Sequence, residues 1–128
     1  MSASVSIRRR VQWMDTDAAG IWHHSVVTRW AEEAEAELHR RLGIIDETFG
    51  MTPRVHTEFD FADVLRFDDE ADIKLWVSAL GETSITYEVE IASSAKTVVT
   101  GRMVAVLIGG DNGQKRTWPD HLRESLSP

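Results

Sequence analysis

The spacing of apolar positions changes twice along this chain, and each change marks the edge of an element. Val5, Ile7, Val11 and Trp13 alternate roughly with polar residues, so Val5 to Met14 predicts a strand with one buried face. From Val27 the period becomes helical: Val27, Trp30, Ala31, Ala34, Leu38 and Leu42 fall on one stripe. Glu32, Glu33, Glu35 and Glu37 crowd the first half of that helix and Arg40 and Arg41 close it, an order that suits the helix dipole. Gly43 supplies the left-handed stop. The charged residues predict a solvated face, with Glu32 a candidate exception beside the Trp30–Ala31 edge of the stripe.

Beyond a loop holding Gly50 and Pro53 the pattern is that of a sheet. Residues 54–67 predict a long strand with Val55, Phe59 and Phe61 on one face, and Asp68-Asp69 a turn. Ile73, Leu75 and Val77 alternate; Gly81-Glu82 turns the chain; Ile85, Tyr87, Val89 and Ile91 alternate against Thr86, Glu88 and Glu90. That regular alternation predicts an antiparallel strand with one wet face. Ser93 to Lys96 predicts a hairpin loop, and residues 98–108 a strand apolar on both faces by its end, hence central or at a subunit contact. Gly109 to Gly113 predicts a hairpin-type turn, and the tail from Trp118 to Leu126 a short helix starting at Pro119. The order is one strand, one long helix, then four or five antiparallel strands, an α+β arrangement in a single domain spanning 1–128. One helix covers only one sheet face, so the surplus apolar surface predicts a homo-oligomer.

Composition narrows the function. An apolar fraction of 42% with five tryptophans rules out a disordered chain, and a net charge of −7 argues against nucleic-acid binding. Arg8-Arg9-Arg10 is a short basic run, best read as a strand edge. There is no cysteine, which excludes disulfides, thiolate metal sites and cysteine nucleophiles and fits a cytoplasmic protein. The first residues lack the apolar core of a signal peptide, and the longest apolar run, Met103 to Ile108, is too short to span a bilayer, so a soluble chain is expected.

The densest chemistry lies at the strand-to-helix seam, Asp15-Thr16-Asp17-Ala18-Ala19-Gly20-Ile21-Trp22-His23-His24. A calcium loop fails because Val26 stands where a bidentate glutamate is needed. A metal site from Asp15, Asp17, His23 and His24 is disfavoured, because adjacent histidines point apart and no third spaced histidine follows. A Ser25–His24–Asp17 triad has no nucleophile elbow. Two readings stay open: Asp17 as a turn cap with surface histidines, or Asp17 as a general base or nucleophile toward a carbonyl, beside free helix N–H groups that stabilise an oxyanion. His39, His56 and His121 read as isolated.

The segment from Trp13 to His24, with Arg29-Trp30-Ala31-Glu32 and Leu42-Gly43-Ile44, resembles the N-terminal signature of hotdog-fold acyl-CoA thioesterases, nearest the 4-hydroxybenzoyl-CoA thioesterase and YbgC-like group. Arg66 to Asp69, Gly81 with Ser84, and Trp118-Pro119 match more loosely. The resemblance implies a hotdog fold: a long central helix wrapped by a bent antiparallel sheet of about five strands. It further implies homodimers or homotetramers with active sites at the subunit interface, and hydrolysis of acyl-CoA to free acid and CoA without cofactor or metal. Asp17 is then the catalytic carboxylate. His24 supplies the oxyanion N–H and, in the YbgC-like branch, a side chain implicated in catalysis. Gly20, Trp22, His23, Val27 and Trp30 are expected at the substrate, with Trp22, Val27 and Trp30 an apolar acyl pocket or, for Val27 and Trp30, simply helix core. Glu32 matches a glutamate with a structural hydrogen-bonding role, and Asp15 shapes the turn. Val26-Val27 replaces the Asn-Tyr common in the family, Val64 stands where proline is usual, and Trp22 with His23 supplies the aromatic that follows the motif glycine. Those departures keep two rivals in view, a non-catalytic acyl-CoA or small-acid binding module and a hotdog hydratase or dehydratase.

Overall fold

The computed structural model describes residues 3–128. Five strands form one antiparallel sheet: β1 (Ser4–Arg10), β2 (Arg54–Phe61), β3 (Glu70–Leu80), β4 (Ser84–Ser93) and β5 (Lys96–Val106), in the order β1-β3-β4-β5-β2. The long helix α1 (Ser25–Arg41) lies against the sheet, followed by a one-turn helix α2 (Ile45–Thr48); α3 (Asp120–Leu126) closes the chain with Pro119 at its N-cap. A two-residue ladder, β6 (Ile108–Gly109) with β7 (Gln114–Lys115), carries the glycine-rich turn, where Gly110 and Gly113 take positive φ.

Alternation explains how the sheet is buried. Ala71, Ile73, Leu75 and Val77 of β3 and Ile85, Tyr87, Val89 and Ile91 of β4 turn inward, and the helix meets them with Val27, Trp30, Ala31, Ala34 and Leu38. Ala31 and Ala34 are fully buried, and their small size lets backbone and sheet approach closely. Register shifts at Val77/Ala79, Ile91/Ala92 and Arg54/His56 are bulges, which bend strands. Interior strand β5 carries Gly101 under Phe59 of β2, and a Cβ there would run into that ring and stand 2.7 Å from the Glu58 carbonyl oxygen.

The end of α1 is a Schellman stop. Gly43 has φ +73°, the Ile44 N–H donates to the His39 carbonyl at 3.0 Å and the Gly43 N–H to that of Arg40 at 3.1 Å. Edge strand β1 holds the three arginines, and each is paired: Arg8 with Asp72, Arg9 with Glu33, and Arg10 with Glu70 and Asp68. No helix of the described residues is long and apolar enough to cross a membrane.

Three expectations need correction. The first strand stops at Arg10 rather than Met14, because Trp13–Asp15 is a tight helical turn: the Asp15 N–H donates to the Gln12 carbonyl at 2.9 Å, and the Gln12 N–H returns to Asp15 Oδ2 at 2.8 Å. The helix begins at Ser25, one half-turn before its apolar stripe. Residues 54–67 are not one strand; β2 ends at Phe61, where the Ala62 and Asp63 N–H groups both turn to the Val98 carbonyl and the chain leaves the sheet. On β2, Val55 is 58% and Phe61 45% exposed.

Candidate active site

The Asp-rich stretch folds back on itself as a small antiparallel hook. The Asp17 N–H donates to the Ile21 carbonyl at 2.9 Å, the Gly20 N–H to the Asp17 carbonyl at 3.0 Å, and the His23 N–H to the Asp15 carbonyl at 2.7 Å, with Thr16 bridged to Trp22. Gly20 at φ +79° makes the reversal possible. On its far side the hook is pinned to the loop before β3, where the Trp22 N–H donates to the Leu65 carbonyl at 2.8 Å and Ile21 bridges Arg66.

Folding back separates the two aspartates. Asp15 is 3% exposed, and its carboxylate accepts from Arg29 Nη2 at 2.9 Å as well as from the Gln12 N–H, so it is committed to structure. Asp17 is exposed; its Oδ1 accepts the Ala19 N–H at 2.8 Å, an Asx turn that orients the carboxylate and leaves the second oxygen open.

The helix begins immediately beyond the hook. His24 is the N-cap, with no cap from its side chain. Of the first amides, Val26 donates to the His23 carbonyl at 3.0 Å, Val27 to that of His24 at 3.2 Å, and Ser25 to the His23 ring at 3.2 Å. The His24 N–H has no acceptor among the described residues. It is the one free donor of the entry, at the positive end of the helix dipole. His23 Nδ1 also stands 2.8 Å from the Ser25 hydroxyl, so Ser25 pairs with His23 and not with His24. The two exposed imidazoles lie 4.2 Å apart between centroids, tilted by 33°.

Trp22, Val27 and Trp30 are buried in the core, with the two indoles 5.6 Å apart. They pack beneath the hook as part of the core. The exposed large apolar side chains near the hook include Trp13, Met14 and Phe67, whose ring meets Trp13 edge-on at 5.4 Å.

A second polar constellation lies further along α1. Glu35 is 4% exposed and bonded to Arg54 Nη2 of β2 at 2.9 Å. His39, fully buried, has Thr48 Oγ1 2.6 Å from Nδ1 and the Tyr87 hydroxyl 2.7 Å from Nε2. Burial pushes the Glu35 carboxyl above the usual range in spite of Arg54, and pushes His39 down to about 4. Glu35 was expected on the solvated face and His39 as isolated; both expectations fail. Their signal is present in the chain, since Val27, Ala31, Glu35 and His39 form one i+4 row on the apolar side. A cavity of 320 Å³ lined by Glu32, Glu35, Phe49, Gly50, Thr52 and Arg54 opens beside them.

Comparison with known proteins bears on the fold and the family. The thioesterase-like superfamily model matches residues 11–126. A 1,4-dihydroxy-2-naphthoyl-CoA hydrolase of Synechococcus elongatus is 24% identical over 130 residues, covering 97% of this chain and 96% of its own. Among solved structures, a gentisyl-coenzyme A thioesterase superposes with a TM-score of 0.86 at 23% identity, covering 96% of this chain and 100% of that one. A 1,4-dihydroxy-2-naphthoyl-CoA thioesterase from Synechocystis gives 0.85 at 20% identity, covering 96% and 95%. The helix-and-sheet arrangement is the hotdog fold.

Proposed function

The chain belongs to the thioesterase-like superfamily, and from that premise we propose that it hydrolyses an acyl-CoA thioester to the free acid and CoA. The observation that carries the reading is the pairing, within one hook, of an exposed, oriented carboxylate on Asp17 with an unclaimed N–H on His24 at the helix entry. Asp17 takes a proton from water as the water oxygen bonds to the thioester carbonyl, or attacks that carbon itself. The oxyanion that develops is held by the His24 N–H and the helix dipole. Collapse re-forms the carbonyl, breaks the C–S bond and releases CoA as thiolate, which needs no strong acid to leave. Gly20 and His23 shape the approach, the His24 imidazole is a second candidate group for the proton, and no metal or cofactor is required.

Trp22, Val27 and Trp30 enter this reading as a packed floor. Acyl-binding walls must therefore come from elsewhere, and a second copy of the chain is the source we propose. Edge strand β2, with Val55 and Phe61 exposed, and the neighbouring Met51 and Val64 support a homodimer, itself able to pair into a homotetramer, with the hook at the subunit boundary. The named relatives act on aryl-CoA substrates, so aromatic acyl groups head the panel.

Release of free thiol from aromatic and aliphatic acyl-CoAs tests the proposal. Asp17→Asn keeps the Asx turn and removes the base, and turnover should fall by about a hundredfold or more. Full activity in that variant removes Asp17 from its role. Binding of acyl-CoA without thiol release by the wild type would make the chain a binding module, and hydration of an enoyl-CoA would make it a hydratase.

A further inference from the structure

A backbone amide decides where the His23 ring carries its proton. The N–H of Ser25, the first residue of α1, donates to His23 Nδ1 at 3.2 Å, and the Ser25 hydroxyl stands 2.8 Å from the same nitrogen. An amide N–H can only donate, so Nδ1 is the acceptor and holds no proton. The hydroxyl faces that bare nitrogen and donates to it as well. An imidazole with a bare Nδ1 keeps its single proton on Nε2.

Nε2 sits across the ring from Nδ1, so its N–H is directed away from Ser25. His23 is exposed, and among the described residues its Nε2 has no hydrogen-bond partner. The His24 ring packs at 4.2 Å from it, tilted by 33°, and braces the His23 ring from another side. One residue on, the His24 backbone N–H is unclaimed too. The hook therefore ends in two neighbouring free donors, one on a side chain and one on the backbone.

We infer that His23 is a further catalytic residue and Ser25 its positioning residue: Ser25 holds the ring as the Nε2–H tautomer, and that N–H donates to the thioester oxygen as it becomes an oxyanion, beside the His24 amide. The inference rests on the acyl-CoA hydrolysis proposed above. A neutral imidazole can polarise a carbonyl without giving up its proton. Charge gathers on the oxygen when the carbonyl carbon is attacked, returns on collapse and departs with sulfur, so Nε2 keeps its hydrogen throughout. The donor thus acts only while the oxyanion exists, which is where a fixed donor lowers a barrier most. Two donors on Nδ1 remove the other tautomer, in which the outward edge of the ring would present a lone pair to the oxyanion.

Two measurements on the full chain test this. Nitrogen-resolved NMR above about pH 8, where free imidazoles are neutral, should show His23 wholly as Nε2–H. Thiol release from the acyl-CoA panel then reads the role. His23→Asn keeps an acceptor for the Ser25 N–H, as in an Asx turn, and removes the outer donor. Its kcat should fall by about tenfold or more at unchanged KM. His23→Gln returns an amide N–H near the Nε2 position and should recover part of that loss. Ser25→Ala leaves the backbone bond to Nδ1, so its kcat should fall by less than in His23→Asn, and Ser25→Thr should restore it. Complete loss of turnover in Ser25→Ala would make the hydroxyl a nucleophile and overturn the assignment. A proton on Nδ1, or parental kcat in His23→Asn while Asp17→Asn is inactive, overturns the inference and leaves the proposed hydrolysis standing. A wild type that releases no thiol, with His23 in the Nε2–H form, removes the hydrolysis reading and this role with it.

Discussion

Arg29 reaches back from the second turn of α1 to hold Asp15 at 2.9 Å, so the carboxylate two residues before Asp17 is locked beneath the hook while Asp17 faces solvent. One sequence motif thus holds two aspartates with opposite duties, and substitutions should separate them.

Asp15→Ala strips two hydrogen bonds from a buried site, one of them to a guanidinium. Its expected loss is about 2 kcal/mol of unfolding free energy. Asp17→Asn should stay within about 0.5 kcal/mol of the parent, because it is exposed and keeps its turn bond. Urea unfolding of both variants checks the split; equal losses would contradict the burial difference.

At His24 the backbone and the side chain can be tested apart. His24 has φ −57°, a value proline accepts, so His24→Pro removes the N–H without moving that torsion. Turnover in His24→Pro should drop by about a hundredfold or more, the usual effect of losing one oxyanion donor. His24→Ala keeps the N–H and should retain the larger part of the activity; the reverse ranking would assign the chemistry to the imidazole.

The buried row also predicts the pH profile of stability. His39 is lowered from 6.5 to about 4, so its contribution is complete above the unfolded value and is lost as pH falls through about 4. The window from about 6.5 down to about 4 carries roughly 3 kcal/mol of acid destabilisation, and His39→Gln should flatten that limb. Glu35 acts with the opposite sign: its raised folded pKa means stability present at low pH is lost as pH rises through that value. In Glu35→Gln the loss with rising pH should disappear. Denaturant melts across pH separate the two limbs.

For subunit pairing, Phe61 is the informative position, half-exposed at the end of edge strand β2. Phe61→Glu puts a charge on that face and should give a smaller species by analytical ultracentrifugation, with thiol release lost alongside. An unchanged mass would place the contact elsewhere.

Much of this arrangement is written locally. The 3.6-residue stripe from Val27 to Leu42, the Gly43 stop and the period-two run from Ile85 to Ile91 each depend on neighbours a few residues away, so strand, helix and sheet could be read directly from the chain. The Asp15–His24 stretch was legible for the same reason, because its hook closes over seven residues with Gly20 at the tip. Apolar alternation, however, reports only that a side chain turns inward, not what it meets. Tyr87 looked like one more core residue, and Glu35 like one more surface charge, until β4 and β2 were laid beside α1. Packing of α1 on the sheet brings His39 and Tyr87 together across 48 positions, and no local pattern encodes that distance. The same holds for Trp22, Val27 and Trp30, whose hydrophobicity suits a pocket wall and a packed core equally; only the closing of the sheet over the helix puts them in the core. Local geometry is set by the backbone and its nearest neighbours, whereas burial and protonation are set by whichever distant segments exclude water.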